Sequence, residues 1–254
     1  MEIDSEKWRQ TVIEGALALG LEITVGQART MGGHALELLQ WNRVTNLTTI
    51  TDPLDVALKH YVDALAAAPW IGDRARVLDA GSGGGFPGIP LKIVRPDLSV
   101  TLVDSVRKKI SFLKHAIRSL GLNGIDAVHG RLEDLCLLPD YRGKFDRVVC
   151  RAFSSLVDFV ELALPFLSPG GCLLAMKGPR ASHSREAVNQ KDDGLIILGG
   201  TSFSIDIHRY RLPLLDAQRS LVRLTPISED GGLGSDVRTQ TPKLVGRLKA
   251  YKAN

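Results

Sequence analysis

Apolar positions along the chain follow two different rhythms. Over the first 70 residues they recur at helical spacing, first as Trp8, Val12, Ile13, Leu17 and Leu19, then as Ala35, Leu36, Leu38, Leu39 and Trp41. A third set, Val56, Leu58, Val62, Ala64 and Leu65, follows Asp52, a helix-capping residue type, with Pro53 at the first helical position. The pattern predicts an N-terminal helical cap over 1–70, built before any strand. From Arg76 the rhythm changes to short runs that are apolar on both faces, at 76–79, 99–104, 125–129, 145–150 and 171–177. Helical stretches at 88–94, 105–120 and 156–167 alternate with them. Strands apolar on both sides need cover on both sides, so this is an α/β chain with a doubly wound, mostly parallel sheet.

The helix over 105–120 is the best defined. Val106, Ile110, Leu113, Ile117 and Leu120 form one stripe, the lysines and arginines face away from it, and Gly121 supplies a stop. Farther on, GTSFSIDIHRYRLP and RSLVRLTPI read as two strands of an antiparallel hairpin, which brings the sheet to seven strands and closes a domain over 71–227. Residues 228–254, rich in Gly, Thr, Lys and Arg, read as a flexible tail, acidic in its first half and basic in its second.

Composition narrows the classes. With 254 residues, 44% of them hydrophobic, the chain can bury a full core. No apolar run reaches the roughly 18 to 20 residues of a membrane span, and the charged start MEIDSEKWRQ does not resemble an export signal. Cys136, Cys150 and Cys172 lie far apart, and no histidine falls at zinc-ligand spacing with them, so a cytoplasmic protein with no structural metal is expected. A net charge of +4 permits a polyanionic partner without requiring one.

The candidate chemistry lies in VLDAGSGGGFPGIPL, residues 77–91, where five glycines follow the first strand of the wound sheet and precede its first helix. Ligands of open α/β sheets bind at that position. Gly83, Gly85 and Gly88 fit the GxGxxG pattern of dinucleotide sites. Asp79 opposes that reading, because a carboxylate about 4 Å from a diphosphate would be repelled by roughly 4 kcal/mol at an intermediate dielectric. A cationic ligand without phosphate reverses the sign, and S-adenosyl-L-methionine, with an amino group and a sulfonium, is such a ligand. Gly81 and Gly83 would admit its methionine moiety, and Asp104, 23 residues beyond Gly81 at the end of TLVDS, would bind its ribose hydroxyls. The plainer readings are a strand-end turn acid for Asp79 and a helix N-terminal acid for Asp104. Taken together, these features predict a Rossmann-like class I S-adenosylmethionine-dependent methyltransferase.

The stretches DAGSGGGFPGIPLKIVRPDLSVTLVDS, WNRVTNLTTITDPLDVALKHYVDAL, GRLEDL, FDRVVCRAFSSL and LLAMKG extend the picture. In that content, and over roughly residues 35 to 225, the chain resembles the glucose-inhibited division protein B family (RsmG), bacterial methyltransferases that form 7-methylguanosine in the decoding-region (530) loop of 16S rRNA. The resemblance implies S-adenosyl-L-methionine contacts at Gly81, Phe86, Leu132, Glu133 and Arg151, a substrate-side role for Arg219, and 16S rRNA or the small ribosomal subunit as partner, with the protein acting as a monomer. Lys177 joins Arg151 and Arg219 as a catalytic candidate because it stands inside a matching motif at a strand end. A solvated loop acid is the plainer reading of Glu133, and an ion pair with a helix carboxylate such as Asp158 that of Arg151. The family's chemistry needs no catalytic dyad: guanine nitrogen 7 offers an in-plane lone pair and no proton to remove, so alignment carries the reaction.

Several alternatives stay open on the residues alone. The strand-four end reads CRAF, without the Asn or Asp followed by Pro-Pro and an aromatic that serves exocyclic amino groups. Cys150 keeps carbon-5 methylation in view, although a small buried strand residue is the simpler reading. A dinucleotide-dependent oxidoreductase, a methylase of another RNA base, and an inactive assembly factor are the remaining classes. RNA contacts are expected from Arg107, Lys108, Lys109, Lys114, Arg147, Arg151, Lys177, Arg180, Arg209, Arg211, Arg219 and Arg223, while His60 reads as a packing residue.

Overall fold

The computed structural model describes residues 1–151, 153, 155–178 and 195–227. The expected contact Arg180 and the tail 228–254 lie outside the described residues. Two helices open the chain, α1 (Glu6–Ala18) and α2 (Val25–Asn42). Ser5 caps the first through its hydroxyl, and Thr24 with Gln27 forms a reciprocal capping box on the second. The third set becomes one helical run: α3 (Pro53–Asp55), a π-helical segment Val56–Val62, and α4 (Asp63–Leu65). Asp52 caps this run as expected, its Oδ1 accepting the N–H groups of Leu54 and Asp55 at 2.9 and 3.0 Å. Leu17 and Leu36 depart from their apolar sets and stand 58% and 49% exposed, because each falls on the solvent side of its helix.

The sheet runs β3-β2-β1-β4-β5-β8-β7-β6. Its parallel half comprises β1 (Arg76–Ala80), β2 (Ser99–Asp104), β3 (Ile125–His129), β4 (Phe145–Arg151) and β5 (Leu167–Lys177). The antiparallel end comprises β6 (Leu195–Leu198), β7 (Thr201–Leu212) and β8 (Ala217–Pro226). Eight strands thus replace the expected seven. The extra one is LIIL, joined to β7 by Gly199 and Gly200 with Leu198 opposite Thr201. Both glycines adopt positive φ (+56° and +82°), which a two-residue hairpin turn of this kind requires. The Gly-Gly pair between apolar runs was the available signal. A second unexpected element is the single turn α7 (Leu132–Leu135).

Alternation along the strands divides the interior into two layers. Val77, Leu102, Val149 and Leu174 face one side, where α5 (Gly88–Val94), α6 (Arg107–Ser119) and the N-terminal helices pack around Trp8, Met31, Tyr61 and Phe112. Leu78, Val103, Val148 and Leu173 face the other, where α7 and α8 (Leu156–Ala163) bring Leu132, Phe159 and Val160. The N-terminal helices therefore share one continuous core with the sheet, and this places their buried side chains beside the strand ends. No helix among the described residues is long and apolar enough to cross a membrane, and none of their His, Cys, Asp and Glu side chains cluster as a metal site.

Candidate functional site

The strand order reverses between β2-β1 and β1-β4, and the glycine loop sits at that reversal. Gly81 leaves β1 with φ +76°, Gly83 follows at +56° and Gly85 at +90°, so the loop doubles back in a conformation that side chains resist. The N–H groups of Gly81 and Ser82 both donate to the Val103 carbonyl at 2.9 Å, pinning the loop to β2. An added Cβ on Gly88 would stand 2.3 Å from Leu102 Cδ2 and 2.8 Å from Asp79 Oδ2, so the helix can start there only with glycine.

Asp79 is fully buried on β1. Its Oδ2 accepts the N–H of Gly88 at 2.8 Å, while Oδ1 has no hydrogen-bond partner. Loss of solvent pushes its carboxyl up to about 7, partly offset by the Gly88 hydrogen bond and by Arg151. The N-terminus of α5 is thus already met by the protein's own carboxylate, where a dinucleotide would need its pyrophosphate. A buried anion with one open oxygen suits a cationic donor instead.

Asp104, at the end of β2, is 7% exposed and bridges two backbones. Its Oδ2 accepts from Gly83 N at 3.0 Å and its Oδ1 from Val106 N at 2.8 Å, with Lys109 Nζ 3.8 Å away. It therefore acts at the N-terminus of α6 and holds the glycine loop at once. The β3 end contributes Gly130, whose N–H donates to Asp104 O at 3.2 Å, and then Leu132 and Glu133 at the start of α7, with the Leu132 side chain 7% exposed.

Phe86 is 4% exposed and packs inside the loop. It stacks on His60 with ring centroids 4.5 Å apart and planes 11° from parallel, and the Arg151 guanidinium lies 4.9 Å from its ring centroid. Arg151 itself, at the end of β4, donates to the Lys59 carbonyl and to His60 Nδ1, both at 2.8 Å. A guanidinium can only donate, so His60 Nδ1 is the acceptor and its Nε2–H points to Thr48 Oγ1 at 2.8 Å. Burial, assisted by the neighbouring charge, lowers His60 to about 3 and keeps the ring neutral. The packing role expected of His60 is what it does here, with an orienting contact to Arg151 added.

The residue that sequence reasoning missed is Asp63. It opens α4 at 6% exposure, with Oδ1 accepting the Tyr210 hydroxyl at 2.8 Å and facing Arg219 Nε at 3.3 Å, while Oδ2 lies 3.9 Å from Arg151 Nη1. The helix carboxylate beside Arg151 is therefore Asp63, where an alternative reading had placed Asp158. A single acid from the N-terminal helices joins the strand-four arginine to the hairpin arginine. An aspartate amid Val62, Ala64 and Leu65 on an apolar helix face was the one hint in the chain. Lys177, at the end of β5, points its Nζ to the Phe153 carbonyl at 3.4 Å and pairs in register with Ser220, next to Arg219. Phe153 lies over the loop, 3.7 Å from where a Gly81 Cβ would be. Cys150 is 1% exposed on the opposite face of β4, and burial raises its thiol well above the ordinary range, which opposes a nucleophilic role.

A family model described as rRNA small subunit methyltransferase G matches residues 27–209. The chain is 44% identical over 214 residues to a ribosomal RNA small subunit methyltransferase G of Geobacter sp. (strain M21), covering 84% of this chain and 95% of that one. It is 41% identical over 217 residues to the protein of that name from Acetivibrio thermocellus, with 85% and 87% covered. With that of Pelotomaculum thermopropionicum the identity is 43% over 223 residues, with 87% and 91% covered.

Proposed function

The chain belongs to the rRNA small subunit methyltransferase G family, and on that premise we propose that it transfers a methyl group from S-adenosyl-L-methionine to ring nitrogen 7 of a guanine in the 530 loop of 16S rRNA. The observation that carries the cofactor half of this reading is the open Oδ1 of Asp79, a buried acceptor facing a left-handed glycine loop. Asp79 would hold the amino group, Gly81 and Gly83 would admit the backbone-proximal part of the ligand, and Asp104 would stay near the ribose. Leu132 and Glu133 would flank the adenine, and Phe86 would act through its packing against Arg151 and His60. When bound there, the cofactor supplies an electrophilic methyl.

The chain's own work is then alignment. Guanine nitrogen 7 needs no base, and His60 would not act as one: it is neutral, engaged on both nitrogens, and stacked on Phe86. Orientation of two reactants can supply on the order of 7 to 11 kcal/mol of barrier reduction. Arg151, Arg219 and, one strand over, Lys177 place cationic groups around the mouth, suited to the phosphates beside the target base.

The test is incubation of small ribosomal subunits lacking the modification with protein and methyl donor, followed by mass-spectrometric mapping of the 16S rRNA. We expect one 7-methylguanosine in the 530 loop. Methylation of a different base, or retention of nicotinamide dinucleotide in place of adenosylhomocysteine in calorimetry, would overturn the reading.

A further inference from the structure

The hairpin β7–β8 carries more than Arg219. Period-two alternation puts Asp206, His208 and Tyr210 of β7 on one face, opposite Arg223, Leu221 and Arg219 of β8 in register. Leu221 is 1% exposed and belongs to the core, so the aliphatic part of this face is sealed. What remains outward is the aromatic rings and Arg223, whose Nε donates to the exposed Asp206 carboxylate at 2.9 Å. Trp70, at the end of the 3-10 turn Ala68–Trp70, packs half-buried against it.

These groups form a continuous row. The Arg223 guanidinium lies 5.3 Å from the Trp70 ring centroid, Trp70 lies 5.5 Å from His208, and His208 is 17° from parallel with Tyr210 at 6.1 Å. Tyr210 is anchored through its hydroxyl to Asp63, the acid that also meets Arg219 and Arg151. The Trp70 backbone is fixed by Arg147 Nε, which donates to its carbonyl at 3.1 Å. The row therefore starts on the open surface and ends at the proposed methyl-transfer mouth.

Aromatic faces interleaved with arginines match unpaired nucleotides, whose bases stack on rings and guanidiniums while their phosphates seek cations. A duplex cannot use such a row, because its bases are already stacked. We propose that Trp70 and His208, flanked by Arg223 and Arg147, form a stacking track for unpaired rRNA nucleotides next to the target guanine. The track deepens the rRNA reading above and rests on it. His208 is the exposed member of the row.

The test compares His208→Ala and Trp70→Phe with the unaltered protein, using a single-stranded RNA of mixed sequence and a duplex of equal phosphate count. Loss of one stacking ring weakens single-strand binding by roughly tenfold, so His208→Ala should lose about that factor on the single strand and keep its affinity for the duplex and for adenosylhomocysteine. Single-stranded RNA should quench the tryptophan emission of the unaltered protein. In Trp70→Phe the quench should fall to what Trp41, packed against Phe112 and His115, contributes, while binding persists, since Trp8 is fully buried and phenylalanine still stacks. Unchanged single-strand affinity in His208→Ala, or an equal loss on both RNAs, overturns the track. Failure of the unaltered protein to methylate 16S rRNA would instead sink the activity and leave the binding result standing.

Discussion

Asp79 shows how one side chain can decide between ligand classes. The motif count in the loop fits a dinucleotide site as well as a methyl-donor site, and the distinction rests on where the carboxylate goes. It caps α5 with one oxygen and keeps the other bare in a place without water contact, so its ionised form is costly until a cation arrives. With its carboxyl pushed up to about 7, ionisation and cation binding are linked. We expect calorimetric affinity for adenosylhomocysteine to strengthen by roughly tenfold between pH 5.5 and 7.5, and Asp79→Asn to bind weakly with no such trend. A flat profile in the unaltered protein would contradict the assignment of Asp79 to the amino group.

At the scale of elements, the helical run Pro53–Leu65 is the piece that organises the mouth. It brings Lys59 O and His60 to Arg151, and Asp63 to Arg219 and Tyr210, from a segment that precedes every strand. Removing one partner of a buried ion pair leaves the other uncompensated, which costs about 3 kcal/mol. Asp63→Ala should therefore lower unfolding stability in urea by about that amount. Asp63→Asn, which keeps the shape and an acceptor for Tyr210, should lose less; equal stability of both variants and the unaltered chain would show that the cluster holds nothing together. The wound half of the fold was legible because its central strands are apolar on both faces and α6 has a one-sided stripe, signals confined to a few consecutive residues. β6 escaped because four apolar residues are too short for a periodicity, although Gly199-Gly200 marked its turn. Asp63 escaped for a different reason: its partners lie 88 or more residues away along the chain, at Arg151, Tyr210 and Arg219, and no local pattern encodes such a meeting. The loop residues Asp79, Gly81, Gly83 and Asp104 do converge as expected from their strand-end positions, since β1 and β2 are neighbours in register.

Over the whole molecule, the same burial that shapes the site sets its response to acid. His34 and His60 are both held to about 3 by loss of solvent, from an unfolded value of 6.5. Their contribution to stability is complete above pH 6.5 and is lost as pH falls toward 3, because the unfolded chain takes up the protons first. Asp79 acts with the opposite sign: its folded value near 7 exceeds 3.8, so acidification from 7 toward 4 relieves the strain of burying it ionised. Between pH 6.5 and 5 two groups thus oppose one, and each is worth at most about 1.4 kcal/mol per pH unit. The unaltered protein should lose up to about 2 kcal/mol of unfolding free energy over that interval, and Asp79→Asn, which removes the opposing group, up to about 4. Saturating adenosylhomocysteine should steepen the unaltered protein's profile toward that of the variant, because a bound cation keeps Asp79 ionised and withdraws the relief that its protonation gives. Urea titrations of the three samples at pH 5 and 6.5 test the set, and parallel profiles for unaltered protein and variant would mean that Asp79 is already ionised in the empty fold.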